Sequence, residues 1–252
     1  MMIRLFLPPD QLSSKQIVIT GEQARHLALV LRVTPGESLD IFDGLGFKYS
    51  CRIIECHKKE VIVERIKKER YSAESSISIT LAQGIAKGDR MDLIIQKSTE
   101  LGVNKIIPLI TERAQVRHTN KLDRWKKIAL SASQQSGRDK LPEIEGPVDI
   151  KSFFSRQFPF VEKGDKGGFF NPGIIFSEEK KERNLKGVLS AFKNAQQLTL
   201  LVGPEGGFSK EEITAAVENG FIEASLGPRI LRTETAPITA ISIIQYELGD
   251  VG

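Results

Sequence analysis

From Ile77 to the C-terminus the apolar residues switch repeatedly between two periods. Ile77, Ile79 and Leu81 alternate as in a strand. Met91, Ile94, Ile95, Ser98 and Leu101 then share one face of a helix opened by Gly88-Asp89, and Gly102 suits its end because glycine adopts the left-handed conformation without strain. Lys105 to Ile110 reads as a strand. Leu122, Trp125, Ile128, Ala129 and Ala132 mark a second helix with Trp125 on its apolar face. Gly173 to Phe176 and Leu198 to Val202 are strand-like runs. Ser209-Lys210-Glu211-Glu212 has the pattern of a capping box, and its helix reaches Gly220. Residues 223–226 make a last short strand. Pro237 stands in the first turn of a final helix that buries Ile238, Ile241, Ile244 and Leu248. Strands alternating with helices predict an α/β domain whose parallel sheet is covered on both faces.

The first 70 residues carry a different pattern. Ile17-Val18-Ile19, Leu39 to Phe42, Tyr49 to Glu55 and Val61-Ile62-Val63 read as strands, with a hairpin turn at Asp43-Gly44-Leu45-Gly46. One helix, Glu22 to Leu31, interrupts them, with Leu27, Val30 and Leu31 on one face. These elements predict a small β-rich barrel. The polar stretch Ser72 to Ser76 marks the boundary, giving domains 1–72 and 73–252. The segment 158–172 fits neither period and reads as a surface insertion.

Composition excludes several classes. No run of about 18 apolar residues exists, so no transmembrane helix is expected. The N-terminus lacks a signal-peptide pattern, and a cytoplasmic location is expected. Cys51 and Cys56 have no histidine pair beside them, so they predict buried reduced thiols and no metal site. A net charge of +4 and a pI near 9.0 are compatible with a polyanionic partner. Lys121, Arg124, Lys126, Lys127, Arg138 and Lys140 form one basic region. A solvated helix face accounts for such a cluster equally well.

Two glycine-containing motifs localise the ligand site. Leu201-Val202-Gly203-Pro204-Glu205-Gly206-Gly207-Phe208 and Leu226-Gly227-Pro228-Arg229-Ile230-Leu231-Arg232-Thr233-Glu234-Thr235-Ala236 each follow a strand and lead into a helix. Such turns at the carboxyl ends of neighbouring strands form the crevice in which open α/β sheets bind ligands. Neither is a P-loop or a dinucleotide fingerprint, and no His-Glu-x-x-His or Gly-x-Ser-x-Gly is present. Ser209 is a helix cap rather than a nucleophile. Glu205 could accept backbone N–H groups. Unaided, these residues reach an α/β domain with an unusual cofactor crevice and a possible RNA-binding module.

The two motifs together closely resemble the bacterial small-subunit ribosomal RNA methyltransferase E family, a SPOUT-class group. So do His26-Leu27-x-x-Val30-Leu31-Arg32, Lys87 to Asp92, Gln96 to Val103, Glu112-Arg113 and Ala132 to Arg138. Where Gln134 stands the family usually has Glu, and where Ala114-Gln115 stands, Ser-Val. The resemblance implies a trefoil-knot α/β domain behind a PUA-like RNA-binding barrel, acting as a homodimer without metal or membrane. It implies S-adenosylmethionine as cofactor and N3 of a uridine in 16S ribosomal RNA, uridine 1498, as acceptor. It places the cofactor on Leu201, Val202, Gly203, Pro204, Glu205, Gly206, Leu226, Gly227, Ile230, Leu231, Thr233, Thr235 and Ala236. Deprotonated N3 needs a cation nearby, for which Arg232 is the first candidate and Arg138 and Arg113 the next. Glu234 is the nearest carboxylate for a base, although acids at helix starts are commonly structural. Arg4, Arg25, Arg32, Arg90, Arg113 and Arg138 are assigned to RNA. His26 is read as a packing residue. Two alternatives stay open: another acceptor, ribose 2′-hydroxyl or a guanine nitrogen, or a non-catalytic RNA-binding assembly protein.

Overall fold

The computed structural model describes residues 3–157, 173–178 and 183–252, so the insertion expected at 158–172 lies outside the described residues. The chain divides into two compact units, Met1–Glu74 with Leu130–Leu141, and Ser75–Ala129 with Pro142–Gly252. A single boundary after Ser72 does not anticipate the return of 130–141 to the first unit.

That unit contains β1 (Ile3–Phe6), β2 (Gln16–Thr20), α1 (Gly21–Arg25), β3 (Ser38–Phe42), β4 (Phe47–Cys56) and β5 (Glu60–Arg70). They form one sheet in the order β1-β3-β4-β5-β2, in which only β1 and β3 run parallel. Bulges at Ile66 in β5 and at Ile54 in β4 bend the long β4–β5 ribbon. Leu5, Ile17, Ile19, Leu27, Leu39, Ile41, Ile53, Val61 and Val63 fill its core. The returning segment is tied down by Asp139, whose Oδ1 accepts from Ala73 N at 2.8 Å. Cys51 is buried and reduced, and burial, aided by the nearby Asp40 carboxylate, pushes its thiol up to about 12. A thiol so protonated is a poor nucleophile.

The helix expected over Glu22 to Leu31 is only partly present. α1 stops at Arg25, and His26–Leu31 widens into a π-helical turn. Leu27 alone of the expected apolar face is in the core. Val30 and Leu31 are exposed, because the wider winding carries them off the helical stripe. His26 is exposed as well, against its reading as a packing residue.

The second unit contains β6 (Ser78–Gly84), α2 (Arg90–Glu100), β7 (Lys105–Ile110), α3 (Leu122–Ser136, whose last turns belong to the first unit), β8 (Glu143–Ile144), β9 (Val148–Asp149), α4 (Ile150–Gln157), β10 (Gly173–Phe176), α5 (Leu185–Leu189), β11 (Gln197–Val202), α6 (Lys210–Glu218), β12 (Phe221–Ala224) and α7 (Thr235–Leu248). The sheet is parallel throughout, in the order β12-β10-β11-β6-β7-β8, with β9 also on β7. Alternation along each strand divides the apolar side chains between two cores. On one face Ile79, Leu81, Ile106, Leu198 and Leu200 meet Met91 and Ile94 of α2, Trp125 of α3 and Ile241 and Ile244 of α7. On the other, Ala82, Ile107, Leu109, Ile175 and Leu201 meet Phe153 and Phe154 of α4 and Ala216 of α6. Gly102, at φ +87, ends α2, and a Cβ there would also meet Gln245 Nε2 at 2.7 Å.

Candidate cofactor crevice

Five parallel strands end at Gly84, Ile110, Phe176, Val202 and Ala224, and the loops that follow surround a cavity of about 590 Å³. A smaller hollow of about 70 Å³ lies against Phe176–Glu178 and Ser225–Leu231, sharing several lining residues with the larger one.

Loop 203–209 is braced from every side. Gly207 N donates to Pro204 O at 2.9 Å, closing a turn. The predicted capping box is formed: Glu212 N donates to Ser209 Oγ, and Ser209 N to Glu212 Oε2. Glu212 also accepts from Glu112 N at 2.8 Å, fastening the loop after β7 to the start of α6. Gly84 abuts Pro204 so closely that a Cβ on it would meet Pro204 Cδ at 2.4 Å and N at 2.5 Å. A Cβ on Gly203 would meet the backbone of Gly207 and Phe208 at 3.0–3.3 Å. Gly203 therefore permits the fold of its own loop.

Gln83, fully buried, joins three segments. Its Nε2 donates to Gly84 O at 3.0 Å, Gly203 O at 3.2 Å and Thr233 Oγ1 at 3.4 Å, and Thr233 Oγ1 donates to Gly203 O at 2.9 Å. Loop 225–234 is otherwise unlike its neighbour. Leu226 to Leu231 make no backbone hydrogen bond to another described residue. Leu226 to Leu231 line the small hollow and Ile230 and Leu231 the large cavity, so peptide groups with no backbone partner lie beside both, and such groups can read a heterocycle edge.

Three carboxylates, Glu178, Glu205 and Glu234, and three guanidiniums, Arg90, Arg113 and Arg232, line the large cavity. Glu205 Oε1 accepts from Arg90 Nη1 at 2.7 Å and from Lys87 N at 3.0 Å. Partial burial opposes its ionisation, but these donors outweigh it and hold the Glu205 carboxyl below its ordinary value. The same contact raises the Arg90 pKa. Arg90 Nε also lies 3.7 Å from Glu234 Oε2, so this guanidinium spans both motifs. Glu234 Oε2 is buried without a hydrogen-bond partner among the described residues, and Oε1 lies 4.0 Å from Arg232 Nη1. Arg232 is 83% exposed, and Arg113 Nη1 donates to Gly206 O at 3.4 Å.

The cavity thus collects Gly203, Pro204, Glu205, Gly206, Ile230, Leu231, Arg232, Thr233 and Glu234 with Arg90 and Arg113, while Leu226 and Gly227 line the small hollow. Leu201 and Val202 line neither. They end β11 inside the two cores and set where its loop begins. Thr235 and Ala236 line neither and open α7. Arg4, Arg25, Arg32 and Arg138 belong to the other unit. There the Arg138 side chain is 4% exposed and its Nε donates to Glu74 Oε1 at 3.1 Å. Breaking such a buried pair costs about 3–5 kcal/mol. Gln83, Gly84 and the end of β10, Phe176–Glu178, were not marked by any sequence motif. The one available signal was the glutamine-glycine pair at the carboxyl end of the strand Ser78–Gly84. Among the described residues no cluster of His, Cys, Asp or Glu could hold a metal, and no helix is long and apolar enough to cross a membrane.

The crevice and fold have clear relatives. Residues 73–245 match the RNA methyltransferase domain model, and 19–64 match the RNA methyltransferase PUA domain model. The ribosomal RNA small subunit methyltransferase E of Buchnera aphidicola (from Acyrthosiphon pisum) is 34% identical over 96% of this chain and 92% of its own. That of Bacillus subtilis is 32% identical over 91% and 89%. The crystal structure of the enzyme of the same name from Neisseria gonorrhoeae, bound to S-adenosyl methionine, superposes with a TM-score of 0.88 at 36% identity, covering all of both chains. The α/β unit thus has the fold of the RNA methyltransferase domain, with a PUA-like sheet before it. With the match extending through both units and both crevice loops, the chain belongs to the ribosomal RNA small subunit methyltransferase E family of RNA methyltransferases.

Proposed function

We propose that this protein methylates N3 of one uridine in 16S ribosomal RNA, using S-adenosylmethionine. It does so as a cytoplasmic homodimer in which residues 1–72 hold RNA and 73–252 carry the chemistry. The observation that supports this most is the cavity that the braced loop 203–209 shares with Ile230 and Leu231, whose loop has no backbone partner among the described residues from Leu226 to Leu231, in a member of an RNA methyltransferase family. The residues fit the cofactor. Free N–H and C=O groups suit an adenine edge, and a cavity with Glu205 and Glu234 suits a sulfonium cation. When bound, S-adenosylmethionine supplies a methyl group already activated for transfer.

The chain's own residues do the rest. The uridine must leave its stack to present N3, at a cost of a few kcal/mol. Glu234 Oε2, lacking a hydrogen-bond partner, takes the N3 proton. Arg232, which is exposed and lines the cavity, stabilises the charge left on N3 and the flanking carbonyl oxygens. Arg113 holds a phosphate at the rim. Arg90 serves as a clamp on Glu205 and Glu234 rather than as a phosphate contact.

The test is methyl transfer from labelled S-adenosylmethionine to small ribosomal subunits from cells lacking the protein, followed by nucleoside mass spectrometry. The reading expects 3-methyluridine at a single site. A 2′-O-methyl or guanine product would change the acceptor. Neither transfer nor calorimetric cofactor binding would leave a non-catalytic RNA-binding protein. Arg232→Ala should lower turnover about 100-fold with little change in cofactor affinity.

A further inference from the structure

Leu29, Val30 and Leu31 are three consecutive aliphatic residues, 51, 66 and 43% exposed. They lie in the π-helical turn His26–Leu31, which ends at Arg32 with φ 53 and ψ 43. Arg32 is the one non-glycine residue with positive φ among the described residues. Both ends of the turn are fixed. Leu27 and Val33 are buried, and Leu27 O accepts from both Arg32 N and Val33 N, the latter at 3.1 Å. The residues between therefore project outward. An ordinary α-helix would place Leu31 beside Leu27 in the core. The winding instead exposes the aliphatic trio and accepts a left-handed arginine, each against the folding balance.

The flanking charges indicate what meets this turn. Arg25 and Arg32 bracket the trio, both are exposed, and neither has an ion pair with a described residue. Gln23, also near, is occupied by Phe6 O at 2.8 Å. Two unneutralised guanidiniums on either side of an apolar tip complement a polyanion with unstacked bases. Aliphatic wedges between nucleotides, with arginines on adjacent phosphates, are a known way to unstack a nucleic acid.

We propose that His26–Leu31 is an RNA wedge: Leu29 and Val30 insert against nucleobase faces, while Arg25 and Arg32 hold the phosphates beside them. The proposal rests on the RNA-methyltransferase reading for its ligand, but it is testable by RNA binding alone.

The experiment uses the full chain and three variants: Leu29→Ser with Val30→Ser, Arg25→Gln with Arg32→Gln, and Arg32→Gly. Affinity is measured for a fluorescent 16S RNA fragment across a salt series, beside methyl transfer to small subunits, cofactor affinity by calorimetry and melting temperature. The serine pair should lose about tenfold or more in RNA affinity, with cofactor affinity and melting temperature unchanged. The glutamine pair should reduce the salt slope by about 1.4, as expected for two contacts to unpaired RNA. Arg32→Gly should raise the melting temperature by a few degrees, because glycine relieves the left-handed backbone, and yet weaken RNA binding. A role in folding alone would move stability and not affinity. Wild-type RNA affinity in the serine pair would overturn the wedge. Sedimentation showing that this pair breaks a wild-type dimer, with RNA affinity intact, would also overturn it, in favour of contact with a second copy. Absence of methyl transfer by the wild type, with RNA bound and weakened by the variants, would sink the enzymatic reading and support the wedge.

Discussion

The two loops that face each other across the crevice are built on opposite principles. Loop 203–209 satisfies itself: an internal turn, a capping box, a carboxylate clamp and the contact of Pro204 with Gly84. Loop 225–234 leaves Leu226 to Leu231 without backbone partners among the described residues and is anchored at Thr233. One wall is set before any ligand arrives, and the other keeps its hydrogen-bonding capacity in reserve. A preformed wall limits the ordering entropy lost on binding, and an unspent wall provides the recognition.

The strongest way to break this division is Gly84→Ala. The new Cβ would press on Pro204, whose ring cannot rotate aside, so loop 203–209 must shift from its braced position. Overpacking of this kind costs about 2 kcal/mol of stability. Cofactor affinity should fall further than that alone explains, because the shift displaces Gly203 O from Thr233 and Gln83. Urea denaturation and calorimetry of one variant measure both effects. Unchanged cofactor affinity would mean that the wall need not be rigid.

Arg90→Ala tests the clamp between the walls. Among the described residues Arg90 is the one side chain that approaches a carboxylate of each motif, Glu205 at 2.7 Å and Glu234 at 3.7 Å. Its removal should lower turnover several-fold and weaken cofactor binding, with Arg90→Lys restoring part of each. The salt dependence of RNA affinity should stay the same. A slope reduced by about one contact would return Arg90 to the phosphate backbone.

These contrasts mark how far the residues could be read. The α/β core against α2, α3 and α7 and the strands Lys105–Ile110 and Gly173–Phe176 follow from periodicity, and the capping box at Ser209 from its residue pattern, whereas α4, with Phe153 and Phe154 in the other core, was not read. Both crevice loops were visible because glycine and proline punctuate strand ends. What could not be read depends on tertiary approach. Nothing local shows that Gly84 touches Pro204, that Arg90 pairs with Glu205, or that Arg138 closes on Glu74. Apolar spacing also failed at Val30 and Leu31, since a π-turn changes the period on which the inference rests.

The subtlest test is the pH dependence of the clamp. Glu205 has a folded pKa below its ordinary value of 4.5. Burial resists its ionisation, whereas the Lys87 N–H and the Arg90 guanidinium favour it, and Arg113, Arg232 and Glu234 border the same cavity. A depressed folded pKa means that the carboxylate's stabilising contribution is fully present above about pH 4.5 and is lost as pH falls through the folded value. The braced wall should therefore keep its geometry at neutral pH and lose the clamp only in acid. Glu205→Gln retains an acceptor for Lys87 N but not the charge facing Arg90. Its melting temperature should lie below wild type at pH 7, and the gap should narrow as pH drops below 4.5. A gap that stays constant over that range would show that the hydrogen bond, and not the charge, holds loop 203–209 to α2.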